Sequence, residues 1–364
     1  MINTWLKMKL FIIYFAFFFG YGNLYSQLIP VNKGENIGYI DTEGNPVLPF
    51  DFSTTIEYYE IEYDKRKFKA IRFPEEAYFS EGYASVQKKE YFWFIPIKSS
   101  YVLIDTSGKV VINSSTRKLG RHGSGLIPIT VQNKIIDMYV EYYTYCDING
   151  IIAIDDYFDY TGPFDSGLAI VMQNKKYFHI DKSGYSLSDM EFELAEKFSE
   201  SYASVMVDSL WGFINLEGKI SIEPQYQLAG MFKNGLARVM KNKKYGYIDY
   251  KNNIIIDFIY ESANDFNEGL ASVMDGSGLW GFIDKSGKFA IKASYYSAGN
   301  FNQGLAPVNI DGKFGFINNN GNIVIEPIYD YAKEFRNGIA EVWKNDKMHY
   351  INISGNTIWT FETK

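Results

Sequence analysis

The 364-residue chain contains one cysteine, three histidines and ten prolines. A lone Cys146 excludes an intramolecular disulfide. It sits in Tyr145-Cys146-Asp147, where other copies of the same pattern carry Ile, and this marks it as a small buried hydrophobe. His122, His179 and His349 lie far apart, and none has a second ligand at metal-binding spacing, so no metal is expected. Calcium loops of the Asp-x-Asp-x-Asp-Gly kind are missing too. Bases number 36 against 43 acids, a net charge of -7, with no basic stripe. The chain therefore lacks the electrostatic footprint of phosphate binding, and nucleic acid is not an expected partner. No low-complexity tract or like-charge run marks a linker. After residue 26 no apolar run is long enough for a membrane span.

What is abundant is aromatic: 30 Tyr and 28 Phe, which suits half-buried strand faces. At the start, Lys7 and Lys9 precede the apolar run 10–19, and small or polar residues continue to Ser26-Gln27. This basic, apolar, small-residue order predicts a secretory signal peptide over 1–26, with Met8 as an alternative start. The expected location is the periplasm, cell surface or extracellular space.

The rest of the chain, 27–364, is organised around the stretch Leu236 to Gly269. It reads Leu236-Ala237-Arg238-Val239, a turn, Tyr245-Gly246-Tyr247-Ile248-Asp249, a second turn, Ile254-Ile255-Ile256, and a connection with Tyr260, Ala263, Phe266 and Gly269. The position of Gly246 recurs at Phe178, Gly212, Gly281, Gly315 and His349, a period of 34 or 35 residues. A fixed period of this size signals a repeat architecture. Residues 168–359 keep it closely, whereas 28–167 diverge, with a long departure over 51–78 and two repeats lengthened by extended hairpins. Long insertions on repeat scaffolds often carry function.

Each unit offers three short strands, predicting a three-stranded antiparallel meander and an all-β fold of about nine units. Turns such as Asp284-Lys285-Ser286-Gly287 predict a type I turn with a glycine bulge, which assigns Asp41, Asp105, Asp181, Asp249 and Asp284 a structural task. In the connection, spacing of three between Tyr260, Ala263 and Phe266 predicts a tight helical turn. Mid-strand Gly212, Gly246 and Gly281 predict close approach of a backbone or ring. All units start and end in the same phase, and a ring often splits one unit between its termini. An open solenoid-like stack is therefore expected, with a closed β-propeller-like ring as the alternative.

Trp211-Gly212-Phe213-Ile214-Asn215, Trp280-Gly281-Phe282-Ile283-Asp284 and Phe314-Gly315-Phe316-Ile317-Asn318, flanked by Leu-Ala-x-Val and Ala-x-x-Phe, resemble the bacterial WG (KWG) repeat family. The resemblance implies a β-rich scaffold, often exported, with no activity common to the family and no catalytic residues to carry over.

The residues offer little chemistry of their own. Gly120-Arg121-His122-Gly123-Ser124-Gly125 superficially suggests a phosphate loop, but no Lys-Ser/Thr or Gly-x-Ser-x-Gly pattern follows. Asp155-Asp156 and Glu75-Glu76 are acid pairs in a chain rich in acids. Trp211 and Trp280, at fixed repeat positions, are expected in the core. Trp93, Tyr139, Tyr143 and Tyr145 lie in the lengthened region, where core and ligand surface are equally open. The expectation is a non-enzymatic scaffold without cofactor that binds a protein, or alternatively a glycan through exposed Tyr and Trp. No particular binding residue is singled out.

Overall fold

A computed structural model of the chain describes residues 28–33, 36–53, 57–63, 66–74, 77–92, 95–135 and 138–361. The expected signal segment, Trp93 and Glu75-Glu76 lie outside them. The named elements are all strands, and every pairing between them is antiparallel. No described helix is long and apolar enough to cross a membrane.

The unit is a four-stranded blade. In blade 7, for example, a short strand Ser262–Ala263 pairs with Ala271–Met274, which pairs with Trp280–Ile283, which pairs with Phe289–Tyr295. These are the link, first, second and third strands. The link strand follows directly from the third strand of the preceding blade. Its small residues, Ala263, Ala298 and Ala332, are buried at the edge where blades converge. The third strand forms the opposite, solvent-facing edge, with Ile254, Ile255 and Ile259 exposed.

The expected helical turn in the connection does not form. The connection is extended, and in blade 6 the pairs Ala229↔Val239 and Phe232↔Ala237 set three residues against two. A bulge, which places one extra residue on one strand, thus generates the spacing of three.

The mid-strand glycine has a specific task. A Cβ on Gly212, Gly246, Gly281 or Gly315 would lie 2.4–2.7 Å from a third-strand carbonyl oxygen, that of Ile222, Ile256, Ile291 or Ile325. The third strand shifts register at these places, Trp280↔Tyr295 being followed by Phe282↔Ile291. The glycine therefore makes room for a backbone bulge, as the close-approach expectation requires. Val102 takes its place in blade 2, and there the third strand runs straight, with Tyr101↔Ser114 followed by Val102↔Asn113 and Leu103↔Ile112.

The blades form a closed ring, which corrects the expected open stack in favour of its alternative, a β-propeller. Each second turn packs on the third strand of the blade before it: Gly184 on Ile154, Gly218 on Leu187, Gly287 on Ile256, Gly321 on Ile291 and Gly355 on Ile325. In the lengthened region Gly108 lies on Leu48 and Gly150 on Ile112. Gly44, in the first blade, lies on Ile358 of the last. Among the described residues, counted by their first strands from Ile29–Lys33 to Ile339–Lys344, the blades number nine. The two terminal blades share one core, in which Tyr39 and Leu48 cluster with Met348, Tyr350 and Phe361. Among the described residues no blade is split between the termini. Phase in the sequence therefore carried no information about closure, because the seam packs a second turn on the third strand before it, as the other junctions do.

Between blades, aromatic residues fill the core. Phe213, Phe232, Phe266, Phe282, Phe301, Phe316 and Phe335 are buried to 0–1% exposure. The third strands contribute Phe52, Phe158, Phe192, Tyr226, Tyr260, Tyr295 and Tyr329, all buried, and Phe361 takes that place in the last blade. In three blades the second strand carries Tyr rather than Phe with its hydroxyl bonded to the next blade. Tyr39 donates to Ala77 O, Tyr145 to Gly162 O and Tyr247 to Asn264 O, each at 2.7 Å. Such bonds satisfy the phenol while it adds apolar area.

Candidate interaction face

Strand direction alternates across each blade, so its connections divide between two rims. The first-to-second turn and the exit from the third strand open on one rim, and the other two turns open on the opposite one. In regular blades the first-to-second turn is minimal. Asn174-Lys175, Asn242-Lys243 and Asn345-Asp346 each hold two consecutive positive φ angles, the geometry of a type I′ hairpin.

Three long departures break this economy. In blade 2, Tyr83–Phe92 pairs with Ile95–Asp105, and in blade 3, Ile127–Ile135 pairs with Met138–Cys146. The first strand of blade 2 has ten residues where Leu168–Gln173 has six. Four extra residues project roughly 13 Å at the rise of a strand. The third departure, Glu57–Tyr63 paired with Arg66–Arg72, occupies the exit from the third strand of blade 1. All three therefore open on the same rim, from adjacent blades 1, 2 and 3. The 57–72 hairpin also crosses to blade 9. There Trp343 Nε1 donates to Lys69 O at 2.8 Å, and Arg66 stands 3.5 Å from Asp330. The Asp330 carboxylate is held by Lys313 at 2.5 Å and by the Asn345 N–H at 3.1 Å.

The opposite rim is already bonded to itself. Its link-to-first turns are also type I′, with positive φ at Glu81, Ser124, Ser166, Asn234, Glu268, Gln303 and Asn337, each before a positive-φ glycine. Their side chains accept N–H groups from the next blade. Glu200 takes Asn234 and Gly235 at 2.7 and 2.9 Å, and Asn234 takes Gly269 at 3.0 Å. Glu268 takes Gln303 and Gly304 at 2.7 and 2.9 Å, and Gln303 takes Gly338 at 2.7 Å. Burial opposes ionisation of Glu200, but the Gly235 N–H, the Tyr250 hydroxyl and the Asn234 N–H outweigh it and hold the carboxyl below its usual range. The turn aspartates are used in the same way, Asp284 Oδ1 accepting Ser286 N at 2.8 Å and Lys288 N at 3.2 Å.

The residues screened for chemistry are dispersed. His122, His179 and His349 fall in blades 3, 4 and 9. His122 is buried 3.1 Å from a Glu81 carboxylate oxygen, and burial pulls its pKa down despite that charge. His179 is buried with Nε2 2.9 Å from Glu196 O, and burial lowers its pKa too. His349 meets Thr360 Oγ1 at 2.9 Å. Among the described residues no cluster of three His, Cys, Asp or Glu could hold a metal. Burial, with Asp147 adding to it, pushes the Cys146 thiol up to about 11, so it is protonated at neutral pH. The glycine-rich segment is a link strand and turn whose N–H groups are taken: Gly120 by Pro128 O, Gly123 by Leu126 O and Ser124 by Glu81. Asp155 and Asp156 are exposed. Trp211 is buried and Trp280 packs half-buried against the core, as expected. Tyr145 is fully buried and Tyr143 half-buried, while the side chain of Tyr139 lies outside the described set. The three-hairpin rim escaped residue-by-residue screening because it is a property of connection lengths. Its signal in the sequence was the departure over 51–78 together with the lengthened second and third repeats.

The sequence model of the WG containing repeat matches residues 37–60, 143–177, 180–211, 211–245, 245–277, 280–314 and 314–347, more than half of the chain. The chain belongs to the WG repeat family. The seven matched stretches do not count the blades, since no match starts at the second strand of blade 2 or of the last blade. No curated protein matches this WG repeat chain. A crystal structure described as the eukaryotic initiation factor is similar with a TM-score of 0.59 at 11% identity, covering 92% of this chain and 95% of that one. At that identity the likeness concerns the fold alone. BamB from Moraxella catarrhalis (TM-score 0.39, 11% identity, 68% of this chain and 85% of that one) and the WD40 beta propeller domain of Doa1 (0.30, 11%, 69% and 87%) share less.

Proposed function

We propose that this WG repeat protein is an exported, non-enzymatic scaffold that holds a protein partner on the rim carrying the three long hairpins. The observation that supports this reading is the gathering of all three departures on one rim of adjacent blades, while the other rim spends its turn N–H groups on itself. Extended hairpins on a rigid ring supply strand edges and side chains beyond the plane of the blades, and sheet edges are a common mode of protein recognition. Export rests on the basic and apolar start of the sequence, and the absence of enzymatic activity on its missing catalytic constellation.

The test trims a hairpin without touching the ring. Val131↔Tyr142 is the pair that corresponds to Gln173↔Lys176, so residues 132–141 can be replaced by Asn-Gly. The trimmed chain should keep its melting temperature and lose a partner captured from the envelope fraction by the chain 27–364. Unchanged capture after trimming would sink the assignment of the rim, and turnover in a broad hydrolase screen would sink the non-enzymatic reading.

A glycan reading rests on Tyr157 and Tyr160, both exposed at the foot of the 127–146 hairpin, with the Tyr160 and Tyr177 rings edge to face at 6.4 Å. Retention on polysaccharide affinity gels that is lost in Tyr160→Ala would favour it over protein binding.

A further inference from the structure

At the end of each third strand the ring carries an aromatic side chain, from Phe52 in the first blade to Phe361 in the last, none more than 8% exposed. Blade 2 is the exception. Counting on from Ile112, which corresponds to Ile291, the place of Tyr295 falls to Thr116, whose side chain is exposed. Counting by pairing, the partner of Tyr101 is Ser114, where the partner of Trp280 is Tyr295. By either count the ring is missing. The third strand of blade 2 runs straight past Val102, as that of the last blade runs past His349, but where the last blade ends on Phe361, blade 2 has Ser114 within the polar segment 113–117.

Among the described residues no aromatic side chain takes the place. A cavity of ≈ 440 Å³ lies there, between blades 2 and 3, within the size range of small-molecule pockets. The polar segment 113–117 and Asn149 line it together with Ile112, Leu119, Ile129, Cys146 and Gly150. The residues at the same places around blades 7 and 8 are Ile291, Ala298, Val308 and Ile317, which share one core cluster with Tyr295, and Gly321, which packs on Ile291. The apolar part of the cavity thus corresponds to the surroundings of Tyr295, with the larger Leu119 at the place of Ala298. In blade 5, Tyr226 donates to Asn252 Oδ1 on the second turn of the following blade at 2.5 Å; at the cavity the same turn position is Gly150, and its neighbour Asn149, whose amide donates to Asp147, also lines the space.

We propose that this cavity is a binding site for a phenol ring, which enters between blades 2 and 3 and takes the place that Tyr295 takes between blades 7 and 8. The ring packs on Ile112, Leu119 and Ile129, and its hydroxyl faces the 147–150 turn. Other junctions cannot bind such a ligand because their own aromatic side chain occupies the place. The ring can belong to a free small phenol or to a tyrosine of a peptide.

The test uses 4-fluorophenol and the chain 27–364, observed by fluorine NMR. Saturable binding is expected for the natural chain. Thr116→Tyr and Ser114→Tyr restore the missing ring by the two counts, and at least one should abolish binding while matching or exceeding the natural melting temperature. N-acetyltyrosine amide then separates the sources. Displacement of the fluorophenol assigns the site to a peptide-borne ring, and retention assigns it to a free phenol. No saturable binding to the natural chain, or equal binding by both tyrosine variants, would overturn the proposal.

Discussion

Gly44 lies against Ile358, so that a Cβ on the glycine would meet the Ile358 carbonyl oxygen at 2.8 Å. The two residues belong to opposite ends of the chain, yet the contact repeats that of Gly218, whose Cβ would meet the Leu187 carbonyl oxygen at 2.8 Å, between neighbouring blades. The seam of the ring is built like its other junctions and needs no split blade.

Gly44 holds φ at +88°, and so do many turn glycines within a few degrees, Gly125 at +85° among them with nothing near its Cβ direction. Gly44→Ala should cost the backbone strain of about 1–3 kcal/mol plus the clash at the seam. Gly125→Ala should cost the strain alone. Urea denaturation of both variants checks the order, and equal losses would mean that the seam does not bear on stability.

The 57–72 hairpin is anchored on blade 9 through Trp343 Nε1 and Lys69 O. Trp343→Phe keeps most of the buried ring and removes the donor, at a cost of about 0.5–1.5 kcal/mol. Hydrogen exchange should quicken in strand Arg66–Arg72 and stay unchanged in blade 6. Uniform quickening would point to general loosening of the ring instead.

Gly281 faces the backbone of Ile291 and Ala293, with Cβ distances of 2.6–2.8 Å. Gly281→Ala must push the bulge away and should destabilise by about 1–3 kcal/mol, as overpacking does. A shift of the denaturation midpoint toward lower urea without a change in slope is the expected result.

Acid should weaken the self-bonded rim. The Glu200 carboxyl is held below its ordinary value of 4.5. A group with a depressed folded pKa contributes stability above its unfolded pKa and loses it as pH falls through the folded value. The stability of the natural chain should therefore decline as pH drops below about 4.5. Glu200→Gln keeps acceptor oxygen but cannot titrate, so its stability should fall less over the same window. Parallel pH profiles for the two chains would remove Glu200 from the account.

The sequence alone determined the unit. Alternating apolar residues, Asp-x-x-Gly turns and a period of 34 or 35 residues specify a short meander, because strand alternation and turn chemistry act within a few residues. The mid-strand glycine was legible as a close approach, though not as room for a bulge. The spacing of Tyr260, Ala263 and Phe266 misled toward a helical turn, because a bulged strand and a tight helix can both align every third residue.

Tertiary structure decided the rest. Closure depends on small rotations summed over nine blades, and no single repeat records that sum. The common rim of the three hairpins follows from strand direction, which becomes informative once the sheet order is known. The cavity beside Thr116 could be suspected from a missing Tyr, but its walls come from residues as far apart as Ile112 and Gly150. Whether a missing side chain leaves a void or is covered by its neighbours is settled by packing, where the bulk of each side chain counts against every other at once.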